Sequence, residues 1–182
     1  MKKLLILLLC PTIAFAQQPN PANVDSFSFT YTGIEKVPGA SAALLHSRAK
    51  YFIYQYFNDP HQVIKYDDAE GGLFIVICNL PLRIKRPKDK DSANFGYLVV
   101  PMKLLFRNGV YKYSLSEISQ QGAPGQVYNG GYLNDPRSAD KYMNKDDWRL
   151  ARIASLKYIQ AWIDEMNAVL QSDELDPARS DF

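Results

Sequence analysis

The chain reads as an α+β domain, an antiparallel sheet with two helices packed on one face, in the order β-α-β-β-β-β-α. Three observations predict it. Two segments carry apolar residues at helical spacing, and five shorter runs are apolar or alternating over strand length. Between the last two of those runs stands Asn108-Gly109, whose tolerance of positive φ suits a tight hairpin turn.

The first strand is predicted over Ser26 to Thr32, with Phe27, Phe29 and Tyr31 on one side and Ser28, Thr30 and Thr32 on the other. Val37-Pro38-Gly39 stops it. The segment Ala40 to Phe57 follows, where Leu45, Ala49, Phe52 and Tyr56 recur at helical intervals behind Ser41 as N-cap. Asn58-Asp59-Pro60 ends the helix, because the residue before proline is pushed out of the α region. Val63 to Asp67 and Leu73 to Cys78 form a hairpin around Gly71-Gly72. The second of these runs extends towards Ile84 with a bulge or an edge at Pro81. The charged stretch Lys85 to Asp91 is a loop, Tyr97 to Phe106 the next strand, and Val110 to Ser116 the last. In that last strand Tyr111, Tyr113 and Leu115 share a face opposite Lys112, Ser114 and Ser116.

Gly122 to Asp146 is long for a loop in a small domain, and loops of this length are functional or mobile. Asp146 or Asp147 caps the final helix, Trp148 to Gln171. Its apolar stripe is Leu156, Ile159, Ile163, Met166 and Leu170, widened by Trp148, Ala151, Ser155, Tyr158 and Trp162.

Residues 1–16 are set apart as a signal peptide, with Lys2 and Lys3 before an apolar run and Ala14-Phe15-Ala16 as the cleavage site. Lipidation at Cys10 is the rival, but it wants a small residue before the cysteine and meets Leu9. Residues 17–25 form a flexible leader, 26–171 the single domain and 172–182 a polar tail. The apolar run is too short to span a bilayer, so an exported protein, periplasmic or secreted and without a transmembrane segment, is expected. Removing Lys2 and Lys3 takes Lys+Arg from 21 to 19, equal to the 19 Asp+Glu. A neutral chain argues against a nucleic-acid partner. Only Cys78 is left, so no internal disulfide can form, and its apolar run predicts a buried thiol.

Several of these signals together resemble a known group. They are the Phe27-x-Phe29-x-Tyr31 strand, the helix with Ala49 and the aromatic stretch Tyr51 to Phe57, Val63-Ile64, Glu70-Gly71-Gly72, and Asn108-Gly109-Val110-Tyr111-Lys112-Tyr113. The chain resembles secreted Bacteroidetes proteins of domain-of-unknown-function family 4468, over roughly Phe27 to Leu170. The resemblance implies a TATA-box-binding-protein-like (TBP-like) fold and an envelope location, and it carries over no catalytic residue. Fold likeness to a DNA-binding protein does not imply DNA binding.

No metal or cofactor site is expected. The two histidines, His46 and His61, lack the spacing of a zinc motif and read as surface or cap residues. No nucleophile elbow or phosphate loop is present. Asp67, Asp68 and Glu70 read as solvated turn residues. The basic cluster Arg83, Lys85, Arg86, Lys88 and Lys90 reads as a solvated loop guarding strand edges. The candidate ligand-binding residues are Tyr128, Asn129, Tyr132 and Tyr142 of the long loop, with Asp135 and Arg137 beside them, and Lys112 and Ser114 on the sheet's open face. Amphipathic tyrosines beside amides and carboxylates suit carbohydrate or peptide recognition. Leu73, Ile75 and Ile77 alternate with equally apolar Phe74, Val76 and Cys78, so the open face mixes polar and apolar residues and calls for a cover.

The expectation is a non-enzymatic envelope protein that binds or assembles through the open face and the 122–146 loop. An envelope glycan, a protein partner and a second copy of the chain are the open choices. Whether the chain is an enzyme is left open, the alternative being a hydrolase of unrecognised type acting on envelope polymers.

Overall fold

The computed structural model describes residues 28–85, 91–123, 129–138 and 143–173. The proposed signal peptide and leader, and nearly all of the polar tail, lie outside them.

β1 (Tyr31–Lys36) starts later than the alternation suggested and runs on to the Pro38-Gly39 turn. Phe29 is fully buried, but its N–H donates to the Asn134 side chain at 2.7 Å, so the strand ladder begins only at Tyr31. α1 (Ala42–Tyr56) is capped as expected, with Ser41 Oγ accepting from Leu44 N–H at 3.1 Å. A single further turn, α2 (Pro60–Val63), opens on the proline that ended α1. β2 (Ile64–Asp68), β3 (Leu73–Ile84), β4 (Ala93–Arg107) and β5 (Val110–Leu115) follow, all antiparallel, in the spatial order β1-β5-β4-β3-β2. The β3–β4 register slips between Pro81 and Arg83, where the sequence reading put a bulge.

Pro101 belongs to β4, a central strand, which proline normally avoids. The ladder explains it. β5 pairs with β4 only up to Met102, and the short strand β6 (Ser119–Gln121) pairs with it only from Val99 to Tyr97. On that side Pro101 faces the gap between the two ladders, so its missing N–H leaves no bond unmade. The chain crosses the gap through Glu117, held at φ 57°.

Within the long loop the described residues include a strand. β7 (Gly131–Tyr132) pairs with β6, and Leu133 behind it is fully buried. Gln120 ties the corner together, its Nε2 donating to the Phe95 carbonyl and its Oε1 accepting from Gly130 N–H, both at 2.5 Å. Buried Arg152 donates to the Leu133 carbonyl at 2.9 Å and lies over the Phe29 ring. Polar side chains thus reach buried carbonyls that strand pairing leaves free.

α3 (Lys145–Gln171) begins three residues before the predicted start. Its cap is Asn144, not Asp146 or Asp147. Asn144 Oδ1 accepts from Asp147 N–H while its Nδ2 donates to Asp147 Oδ2, both at 2.8 Å. The two aspartates sit in the first turn, where they complement the helix dipole. α1 and α3 pack together on one face of the sheet. Their buried residues, Leu45, Ala49, Phe52, Ile53, Ile159, Trp162, Ile163 and Met166, meet Phe74, Val76, Cys78, Leu98, Val100 and Leu104 in one core. Arg48 runs through it to donate to the Leu170 carbonyl at 3.0 Å, closing an orphan acceptor at the end of α3. Cys78 is fully buried and unpaired, as expected, and burial pushes its thiol well above the ordinary range.

Candidate functional site

Alternation along each strand sends one set of side chains to the helices and the other to the opposite face. Along β3 the helix-facing residues Phe74, Val76, Cys78, Leu80, Leu82 and Ile84 are buried. Leu73, Ile75 and Ile77 between them are half-buried, and Asn79, Pro81 and Arg83 exposed.

Residues opposite one another in an antiparallel ladder share a face, so the register composes the open face row by row. One row is Asp68, Leu73, Leu105, Lys112 and Ile34. The next is Tyr66, Ile75, Lys103, Ser114 and Thr32. Ile77 and Pro101 follow, and then Asn79, Val99, Ser119 and Tyr132. At the other end Arg107, Val110 and Lys36 close the sheet. Half-buried aliphatic residues fill the middle strands. Exposure rises at Leu105 (40%), Tyr66 (48%), Tyr132 (58%) and Ile34 (66%). An apolar tract of this kind on a sheet face is uncommon without a partner.

The register brings three predicted site residues, Lys112, Ser114 and Tyr132, to this one face. Asn129 instead accepts a hydrogen bond from Gly122 N–H at 3.0 Å and braces the loop. Asp135 likewise serves the loop, accepting from Arg137 N–H at 2.9 Å. Tyr128 and Tyr142 lie outside the described residues. Thr32 joins the face, whereas Ser28 and Thr30 precede β1 and Ser116 follows β5. Arg83, expected in a loop, belongs to β3 and its open face.

A second feature escaped the sequence reading. His46 is buried, 4% exposed, and not at the surface. It stands edge-on to Phe74 and Phe106, ring centroids 5.4 and 5.6 Å away. Its Nε2 is 2.7 Å from Asp67 Oδ1, and Lys50 Nζ is 2.7 Å from Asp67 Oδ2. Asp67 is therefore a strand residue gripped from α1 and not a turn residue, although it stays exposed. Burial pushes its carboxyl up, but the Lys50 ammonium and then His46 outweigh this and hold it below the ordinary value of 3.8. These groups, with Ser47 and Ala69, line an open hollow of about 560 Å³. The signal was present in the sequence, since Ser41 as N-cap puts His46 next to Leu45 on the inward side of α1. Only the β2 register places Asp67 opposite it. Asp68 does act at the turn, accepting from Gly71 N–H at 2.8 Å.

With this geometry in hand, solved structures decide the architecture. A TBP-like protein from Parabacteroides distasonis superposes with a TM-score of 0.55 at 13% identity, over 79% of this chain and 92% of that one. The fold is TBP-like. A DUF4468 family protein from Bacteroides ovatus superposes with a TM-score of 0.58 at 11% identity, over 81% of this chain and 89% of its own. That is the family the sequence resembles, and its TBP-like architecture is the one expected. No family model matches the chain, and no curated protein does either. At such identities the likeness carries the fold and not the occupant of the open face. No helix among the described residues is long and apolar enough to cross a membrane.

Proposed function

We propose that the chain is a non-enzymatic, exported cell-envelope protein that binds a partner or assembles through the open face of its TBP-like sheet, with the 122–146 loop at one end of that face. The observation that carries this reading is the continuity of the apolar rows, Leu73, Ile75, Ile77, Val99, Pro101 and Leu105, out to exposed Ile34, Tyr66 and Tyr132. Covering a half-exposed Leu or Ile contributes about 1 to 2 kcal/mol, so a handful of such positions gives an interface its affinity. Tyr132 joins the loop to the face. Export is supported by the N-terminal pattern of Lys2, Lys3, the apolar run and Ala14-Phe15-Ala16.

For the hydrolase alternative, the gathering of titratable groups that lines a hollow among the described residues is His46, Lys50 and Asp67. There the imidazole is walled in by Phe74 and Phe106 and its buried Nε2 faces Asp67, an arrangement that holds α1 to β2. The binding reading is the one the geometry carries furthest.

The test is thermal unfolding against envelope oligosaccharides and peptides, with light scattering for self-assembly. A ligand at about a hundred times its dissociation constant adds roughly 2.7 kcal/mol and raises the midpoint by on the order of 5 to 10 °C. Leu105→Glu and Tyr132→Ala are expected to remove that gain, or the assembly, while the unliganded midpoint stays close to wild type. A response that survives both substitutions would sink the open-face reading.

A further inference from the structure

The charges on the open face are one-sided. By register and alternation it carries Lys36, Arg83, Lys103, Arg107 and Lys112, against Asp68 as the carboxylate of the same strands. None of the five cations makes a salt bridge with another described residue.

Four of them converge. Lys112 lies opposite Leu105 on one side and Ile34 on the other. Its diagonal neighbours are Lys103 and Arg107 on β4, and Lys36 and Thr32 on β1. Three of those four diagonal positions are cations, at a spacing of about 7 to 8 Å. Asp68 stands three strand spacings from Lys112 and two from the strand of Lys103 and Arg107, about 14 Å and about 10 Å, beyond the screening length of physiological salt. Like charges so placed oppose folding slightly, and an anion seated among them relieves that cost.

Resting on the open-face reading, we propose that the Lys36, Lys103, Arg107 and Lys112 quartet receives the carboxylates of an acidic segment of a protein partner. That segment's apolar side chains cover Ile34, Leu73, Ile75 and Leu105. A second copy is a poor occupant, because face-to-face packing sets cation on cation. The layout also disfavours a bilayer, since membrane-surface elements put basic residues above their apolar ones. Here cations and aliphatic residues interleave at one level of one face. Single strands of nucleic acid want stacking aromatics, and the three rows that bear the quartet offer one, Tyr66.

Fluorescence anisotropy with a labelled peptide of alternating glutamate and leucine tests the idea, beside its glutamine–leucine isostere, phosphatidylglycerol vesicles and duplex DNA. The acidic peptide is expected to bind on the order of tenfold tighter than the isostere and to weaken as salt rises. Lys112→Glu should cost on the order of tenfold and Lys112→Gln less, a graded response that unfolding would not produce. Equal binding of both peptides, abolished by Leu105→Glu, would overturn the acidic partner and leave the open-face reading standing. Binding of vesicles or duplex in preference to the peptide would overturn it in favour of those surfaces. Failure of both peptides would overturn it as well, and the ligand panel then decides the open-face reading by itself.

Discussion

At the scale of single residues, Asp67 shows how one carboxylate joins two elements. Its oxygens face His46 and Lys50, one turn apart on α1, while its backbone belongs to β2. A carboxyl held below 3.8 in the folded chain favours the charged form there. The stability it contributes is present above the unfolded value and lost as pH falls through the lower, folded one. Urea unfolding between about pH 5 and pH 2 should therefore show a shallower acid decline for Asp67→Asn than for wild type. Parallel declines would mean that the cluster adds nothing. The tyrosines carry the opposite sign at the alkaline end. Burial pushes Tyr31 and Tyr111 up to about 12, so their contribution fades between about pH 10 and 12. The Tyr31 hydroxyl is buried without a hydrogen-bond partner among the described residues.

At the scale of elements, glycine positions distinguish backbone strain from steric contact. Gly96 sits in β4 at φ 80°, with the Gln121 carbonyl and Gly122 Cα pressed against the space a Cβ would take. Gly39 has φ 87° in the turn after β1 and open space around it. Gly39→Ala is expected to cost about 1 kcal/mol, from the left-handed backbone alone. Gly96→Ala should cost about 2 to 3 kcal/mol, because the neighbouring backbone must also move. Equal losses in urea unfolding would remove the steric part of the argument. Much of this element plan was legible beforehand. The Ser41 cap, the Asn108-Gly109 turn and the Pro81 bulge are local devices, written in residues whose preferences need no distant partner. The Asn144 cap was missed because Asp146 and Asp147 offer equally good acceptors, and only the packing of Trp148 and Ala151 sets where the helix starts.

At the scale of the molecule, the core is shared by α1, α3 and the buried side of the whole sheet, so its parts open together. Cys78 lies at its centre, fully buried. In a Cys10→Ser background it is the sole thiol, since the chain has two cysteines. Labelling by a disulfide reagent should be as slow as global unfolding and rise with urea along the same slope. Fast labelling without urea would mean that β3 opens by itself. The open face is the molecular counterpart of this core, with the same strands and the alternate residues.

Sequence alone determined the order of the two long helices and the five longer strands, most of the helix-facing stripes and the mixed character of the strand Leu73 to Cys78, because periodicity and turn chemistry are local. It did not show α2, β6 or β7, and it placed Tyr56 and Tyr158 on stripes where they are exposed. It also marked Lys112, Ser114 and Tyr132 as residues of interest. Tertiary structure decided what stands beside what. Register set Lys112 among three cations from two other strands, put Tyr132 in a row with Val99, and drew Asp67 to a buried His46. Lys103 and Arg107 lie nine and five residues from Lys112 across the Asn108-Gly109 hairpin, but the other neighbours are tens of residues apart in the chain. Only the pairing of strands, fixed by burying one face against two helices, brings those charges and apolar surfaces within reach of each other.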